Sequence, residues 1–260
     1  MSDRESRRPP SATPARAEKR YGLARVLSKR GICSRTQAAE WVRAGRVRVD
    51  GRVVRDPEFP TDPERAGIAI DGERAVSTSP LHLMLNKPRG LVTTARDERG
   101  RDTVYRCFEG ARLDGAPLPW LAPVGRLDKA SEGLLLFTND PAWAARVADP
   151  ATGPNKTYHV QVDRIPDTAL LDALRTGIDD GGERLAAVSA KLLRSGERNA
   201  WLEIVLDEGR NRQIRRLLAA FDIATLRLIR VAIGDLGLGD LPKGQWRALD
   251  TEDLRRLCTL

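Results

Sequence analysis

The stretch Gly125-Arg-Leu-Asp-Lys-Ala-Ser-Glu-Gly-Leu-Leu-Leu-Phe-Thr-Asn-Asp140 sets a carboxylate against an apolar run. Leu134–Phe137, bounded by Gly133 and the polar Thr138-Asn139-Asp140, predicts a short buried strand. Asp128 then lies beside the core and near a rigid element, where an ionised carboxylate is costly unless it is paired or used. Read on its own, the segment is also satisfied by Asp128 capping a turn, with Ser131 meeting a neighbouring amide. Downstream, Glu208-Gly-Arg-Asn-Arg-Gln-Ile-Arg-Arg216 supplies cations that such a carboxylate needs. In Gln213-Ile214-Arg215-Arg216 two arginines follow an apolar residue on an expected helix, so only one of them can face inward.

The elements that must position these groups follow from periodicity. Strands are expected at Leu81–Leu85, Gly133–Thr138, Thr157–Val162, Trp201–Leu206 and Thr225–Val231, and helices at Pro141–Ala148, Asp167–Arg175 and Asn211–Phe221. Strands outnumber helices, and the helices fall between distant strand pairs, which points to an α+β fold on a mainly antiparallel sheet. On the Thr157–Val162 strand, Tyr158, Val160 and Val162 share one face, so Tyr158 reads first as a core residue.

Charge is distributed unevenly. The chain holds 44 Lys and Arg against 36 Asp and Glu, and residues 1–55 alone hold 15 against 5, so the basic excess lies at the N-terminal end. A concentrated basic region is the footprint of a polyanion partner. Residues 1–18, with Pro9, Pro10 and Pro14, have no apolar period and are expected to be a disordered basic tail. From there to residue 76 a small α/β module is expected. Leu23, Val26 and Leu27 recur at helical spacing up to Gly31; Ser34 is placed to cap a second helix with Ala38, Trp41 and Val42 inward; and Asp50-Gly51 signals a hairpin between Val47–Val49 and Val53–Val54. Arg25, Lys29, Arg30, Arg35, Arg43, Arg46 and Arg48 would form its positive face. Residues 77–80 read as a linker and 81–254 as a second domain. No apolar run reaches membrane-spanning length, and the first twenty residues lack a signal-peptide core, so a cytoplasmic protein is expected. Cys33, Cys107 and Cys258 are too dispersed for a zinc site or a disulfide framework, and no metal is expected.

Five stretches agree in order and spacing with one family: Asn86-Lys-Pro-Arg-Gly90, the Asp128 segment, Lys156-Thr-Tyr-His-Val160, Glu208–Arg216, and Leu226-Arg-Leu-Ile-Arg230 leading to Gly244-Gln-Trp-Arg247. Over residues 81–250 the chain resembles the pseudouridine synthases that act on ribosomal RNA, in the branch of RsuA, RluB, RluE and RluF. Residues 19–76 resemble the alpha-L RNA-binding fold named for ribosomal protein S-four. That family's consecutive arginines after the capping serine are reduced here to Arg35, followed by Thr36 and Gln37.

The resemblance implies the pseudouridine synthase fold, a long mixed sheet with a central cleft, and a reaction that needs no cofactor. It implies Asp128 as nucleophile, Arg215 as its ion-pairing partner, and Tyr158 stacked on an extruded uracil. Leu228 would close the pocket floor, or simply pack in the core. Arg126 would fill the space that the flipped base leaves, hold phosphate, or form a structural salt bridge. Arg210 and Arg212 would bind RNA phosphate or be solvated, and Arg216 would be exposed. Lys87-Pro88 and Gly90 would support backbone. The implied substrate is ribosomal RNA of a free or partly assembled subunit, the large one in preference to the small. The rival reading is a non-catalytic RNA-binding or ribosome-assembly factor, which loss of Asp128, Tyr158 or Arg215 would mark; all three are present.

Overall fold

A computed structural model describes residues 20–258 except 77 and 96, so the expected basic tail at 1–18 lies outside the described residues. The N-terminal module forms as its sequence signals require. Helices occupy Leu23–Lys29 and Arg35–Arg43, and the Ser34 hydroxyl accepts the Gln37 N–H at 3.1 Å, the expected N-cap. Val47–Val49 and Arg52–Val53 pair through Asp50 and Gly51, which take φ of 48° and 82°. Positive φ at both turn residues matches the twist of the flanking strands. Ile68–Ile70 and Glu73–Arg74 complete a four-stranded sheet, and Leu23, Val26, Leu27, Ala38, Val42, Val47 and Ile68 form the core beneath it.

The second domain is built on a nine-stranded mixed sheet. Its main path runs Ser189–Ser195, Ala200–Leu206, Lys156–Val162, Thr225–Ile233, Glu132–Thr138, His82–Lys87 and Trp246–Ala248. Pairing along this path is antiparallel except at its centre, where Glu132–Thr138 lies parallel to Thr225–Ile233. That parallel contact is short, Glu132 with Ile229 and Gly133 with Arg230. Beyond it the Glu132–Thr138 strand takes Ala122–Val124 as its neighbour on that side. The two halves of the sheet part at this point, and the central cleft opens between them. Gly133 permits the close approach: a Cβ there would stand 2.2 Å from the Arg230 carbonyl oxygen, and the residue has φ of 100°.

The predicted strands and helices are all present with small shifts at their ends. Helices lie at Pro141–Ala148, Thr168–Thr176 and Gln213–Ala219. Elements not read from the sequence include the strand Ala122–Val124, the edge strand Ser189–Ser195, the strand Trp246–Ala248, the hairpin Ile178–Asp180 with Glu183–Leu185, and the helix Thr251–Cys258. Among the described residues no helix is long and apolar enough to cross a membrane.

The two domains touch. The Asn139 side chain accepts from Leu81 N at 2.7 Å and donates to Thr78 Oγ1 at 2.7 Å and Ser79 O at 3.0 Å, fastening the connecting segment. A Cβ on Gly31 would fall 2.8 Å from the Asn139 carbonyl oxygen, so the end of the first helix abuts the end of the central strand.

Candidate active site

Asp128 sits on the segment between Ala122–Val124 and Glu132–Thr138, and that segment is held from several sides. Lys87, fully buried, donates from Nζ to the carbonyls of Asp128 at 3.1 Å, Ser131 at 2.8 Å and Pro88 at 3.1 Å. Gly90 N donates to Lys129 O at 2.8 Å, and Thr93 Oγ1 donates to Leu127 O at 2.7 Å. The Arg215 Nη2 reaches Ala130 O at 3.4 Å. The Lys87-Pro88 and Gly90 motif therefore supports backbone, as the resemblance implied. Burial pushes the Lys87 ammonium down to about 8, against the opposing pull of Asp128, Cys107 and Glu132.

Two expectations about charge need correction. Asp128 is not sealed in the core; its side chain is 36% exposed at the cleft. The guanidinium at ion-pair distance is that of Arg212, at 3.8 Å, and not that of Arg215. Arg215 faces inward as expected, donating to Thr225 O at 3.3 Å, but its Nε is buried without a hydrogen-bond partner among the described residues. Burial and the neighbouring Arg212 lower its pKa, while Asp128 acts in the opposite sense. Arg216, expected to be exposed, is anchored to the Ile178–Leu185 hairpin by bonds to Asp180 Oδ2 at 2.6 Å and Glu183 Oε2 at 2.7 Å. The hairpin supplies these carboxylates; it turns at Gly181-Gly182, with φ of 60° and 82°, a two-glycine signal that could have announced it.

Arg126, Asp128, Tyr158, Arg210, Arg212, Arg215 and Leu228 all border one cleft of about 600 Å³. Tyr158 is buried on the strand Lys156–Val162, on the face shared with Val160 and Val162. It pairs in register with Arg230, and a bulge between Thr157 and Tyr158 sets that alignment. Leu228 pairs with Val160 two residues further along. Arg210 is engaged, its Nε donating to Glu208 at 2.7 Å.

Three contributors were not singled out from sequence. Arg230, buried, gives Nε to Leu134 O at 2.7 Å, and among the described residues its Nη2, beside the cleft, has no hydrogen-bond partner. Lys156 shares the Tyr158 face; its pKa is lowered by burial and then by Arg230, with Asp207 opposing. Strand alternation, reading Lys156 with Tyr158 and Arg230 with Leu228, could have found both. Glu132, buried, joins the parallel strand pair to the C-terminal loop through Arg227 at 3.1 Å and Lys243 at 2.5 Å. Burial alone would raise its pKa, and those two hydrogen-bonded cations hold it lower.

In the N-terminal module Arg25, Lys29, Arg43 and Arg48 are exposed. Arg25 and Lys29 lie over the Tyr21 ring. Arg35 pairs with Glu58 at 3.2 Å, and Arg46 with Asp71 at 2.5 Å. Arg30 departs from the expected positive face: its guanidinium turns to the chain and donates to Pro63 O at 3.0 Å and Ala66 O at 2.9 Å. A cation bound to backbone carbonyls braces the loop rather than standing open to a ligand.

A cleft with a pinned carboxylate, a neighbouring tyrosine and a surplus of arginines is matched by comparison with known proteins. Residues 82–220 match the RNA pseudouridylate synthase family and residues 22–65 the S4 domain. The chain belongs to the RNA pseudouridylate synthase family. An uncharacterised RNA pseudouridine synthase of Mycobacterium bovis is 38% identical, covering 90% of this chain and 92% of the relative. The ribosomal large subunit pseudouridine synthase B of Bacillus subtilis is 32% identical over 92% of this chain and 96% of its own length. A crystal structure of a pseudouridylate synthase superposes with a TM-score of 0.61 at 28% identity, covering 91% of this chain and 99% of that one. The synthase is thus an isomerase carrying an N-terminal S4 domain.

Proposed function

We propose that this synthase converts a uridine of large-subunit ribosomal RNA to pseudouridine in the cytoplasm, with Asp128 as nucleophile. The substrate would be free RNA or a partly assembled subunit, because the target base must leave its stack to reach the cleft. The observation that carries this reading is the fixed Asp128 loop at the edge of a cleft that also holds Tyr158, Leu228 and Arg215.

The reaction breaks the C1′–N1 bond and forms C1′–C5, and the hydrogen on C5 is exchanged for one on N1, so no oxidant or reductant enters. The Asp128 carboxylate attacks either the sugar carbon or the uracil ring. The freed ring must turn within the site without escaping, which suits a cleft of about 600 Å³ with a ring wall at Tyr158 and an apolar one at Leu228. The Arg212 guanidinium stands 3.8 Å from the Asp128 carboxylate, and Arg215 borders the same cleft. The Bacillus subtilis relative supports the large subunit as the source of substrate.

The test is Asp128→Asn, assayed by tritium release from 5-labelled uridine in large-subunit ribosomal RNA. Turnover should vanish while RNA affinity stays nearly unchanged, since the amide is close in shape but is no nucleophile. Substantial turnover by this variant would remove Asp128 from the role.

A further inference from the structure

A second cleft, of about 570 Å³, is bordered by residues around Thr93 and Arg99 and shares Arg126, Leu127, Asp128 and Asn211 with the first. The two differ in chemistry. The first is walled by Tyr158, Leu206, Ile214 and Leu228, surfaces that suit a base. The second has no aromatic side chain, and its lining is mostly polar or charged, including Thr94, Arg99 and Lys129. A base removed from its stack needs an apolar or aromatic wall, whereas a sugar–phosphate chain needs cations and donors.

The second cleft is also built rather than incidental. Its outer loop is tied to the catalytic segment by Thr93, whose hydroxyl both donates to Leu127 O at 2.7 Å and accepts from Leu127 N at 3.3 Å. Asp97, with a side chain only 6% exposed, closes the loop by accepting from Arg101 N at 2.8 Å and from the Arg101 guanidinium. Arg101 is thereby neutralised. Arg99, Arg126 and Lys129 remain exposed, and among the described residues none forms an ion pair with a carboxylate. Of the carboxylates in the lining, Asp97 is closed on Arg101 and Asp128 faces Arg212, while Glu98, also exposed, opposes the open cations.

We infer that the second cleft binds phosphates of the RNA backbone next to the target uridine, through Arg99 and Lys129, while the base occupies the first. The inference rests on the proposed attack by Asp128: with the target ribose at Asp128, the base turns to one side and the chain continues on the other. Arg126, bordering both clefts, stands where the strand divides from its extruded base.

The test uses the full-length protein and a transcript of large-subunit ribosomal RNA, with single-turnover pseudouridine formation followed against enzyme concentration over a salt series. The Arg99→Gln/Lys129→Gln double variant should raise the half-saturating concentration several-fold and leave the maximal rate nearly unchanged. The plot of log(efficiency) against log(salt) should become shallower by roughly 1.4–1.8, at about 0.7–0.9 for each phosphate left unneutralised. Glu98→Gln should move half-saturation the opposite way, because it removes a repulsion. An unchanged salt slope in the double variant, or a loss confined to the maximal rate, would overturn the inference. If the parent forms no pseudouridine, the proposed function fails; the same variants are then judged by salt slopes of RNA binding alone, where an unchanged slope again overturns the phosphate site.

Discussion

Arg212 holds φ of 49° and ψ of 31° at the start of the Gln213–Ala219 helix, a left-handed conformation that a non-glycine residue adopts at a cost. The same residue places its guanidinium 3.8 Å from Asp128. Strain at a residue that serves the site predicts a separation of stability from activity. Arg212→Gly relieves the left-handed backbone, worth about 1–2 kcal/mol, and gives back a smaller part through the freer unfolded chain. The variant should melt no lower than the parent while its single-turnover rate falls. Arg215→Ala, by contrast, removes a side chain that binds Thr225 O and Ala130 O and should lower both. A melting temperature that drops for Arg212→Gly would refute the strain argument.

Among the strands and helices, the Asp128 segment depends on the seam between two strands and on one buried cation. Gly133→Ala should destabilise the fold on the order of 3–5 kcal/mol, because the new Cβ has backbone, not a flexible side chain, 2.2 Å away. Gly125→Ala is the contrast: it has φ of 72° but no neighbour within 4 Å, so only the backbone cost of about 1–2 kcal/mol applies. Thermal melting of the two variants checks the difference. Lys87 makes a prediction in pH. Its folded pKa of about 8 lies below the ordinary 10.5, so between those values the unfolded chain binds more protons and stability rises with pH. Below about 8 the cost of burying the ammonium is fully present, and above 10.5 it is gone. Denaturant titrations across that window should show the parent gaining roughly 3 kcal/mol relative to Lys87→Met. A constant difference between the two proteins would show that the ammonium is not held at that depressed value.

Taken entire, the synthase joins a basic module to a domain whose own charges nearly balance. Of the cations on the module, Arg25, Lys29 and Arg43 are exposed, whereas Arg30 is committed to the chain. Replacing Arg25, Lys29 and Arg43 by Gln should weaken RNA binding and flatten its salt dependence by about 0.7–0.9 for each phosphate that the module no longer neutralises. Replacing Arg30 should instead lower the melting temperature, through the loop at Pro63 and Ala66. Binding measured over a salt series, with melting curves, distinguishes the two outcomes.

What is local was legible in the amino-acid order alone. Ser34 before a helix, Asp50-Gly51 between short strands and the apolar run after Gly133 each specify their element within a few residues, because capping, turn geometry and alternation act over that distance. The same holds for the face on which Tyr158 lies and for the family to which the motifs belong. Which charges meet was fixed by the fold in three dimensions. Asp128 approaches Arg212 rather than Arg215, and Arg216 is held by a hairpin over thirty residues away in the chain. Lys87 reaches three carbonyls on two separate segments, and the second cleft exists because the Thr93 loop is fastened to Leu127. A hydrogen bond or ion pair depends on a fraction of an ångström between groups distant in sequence, whereas hydrophobic pattern and turn chemistry are written in neighbouring residues.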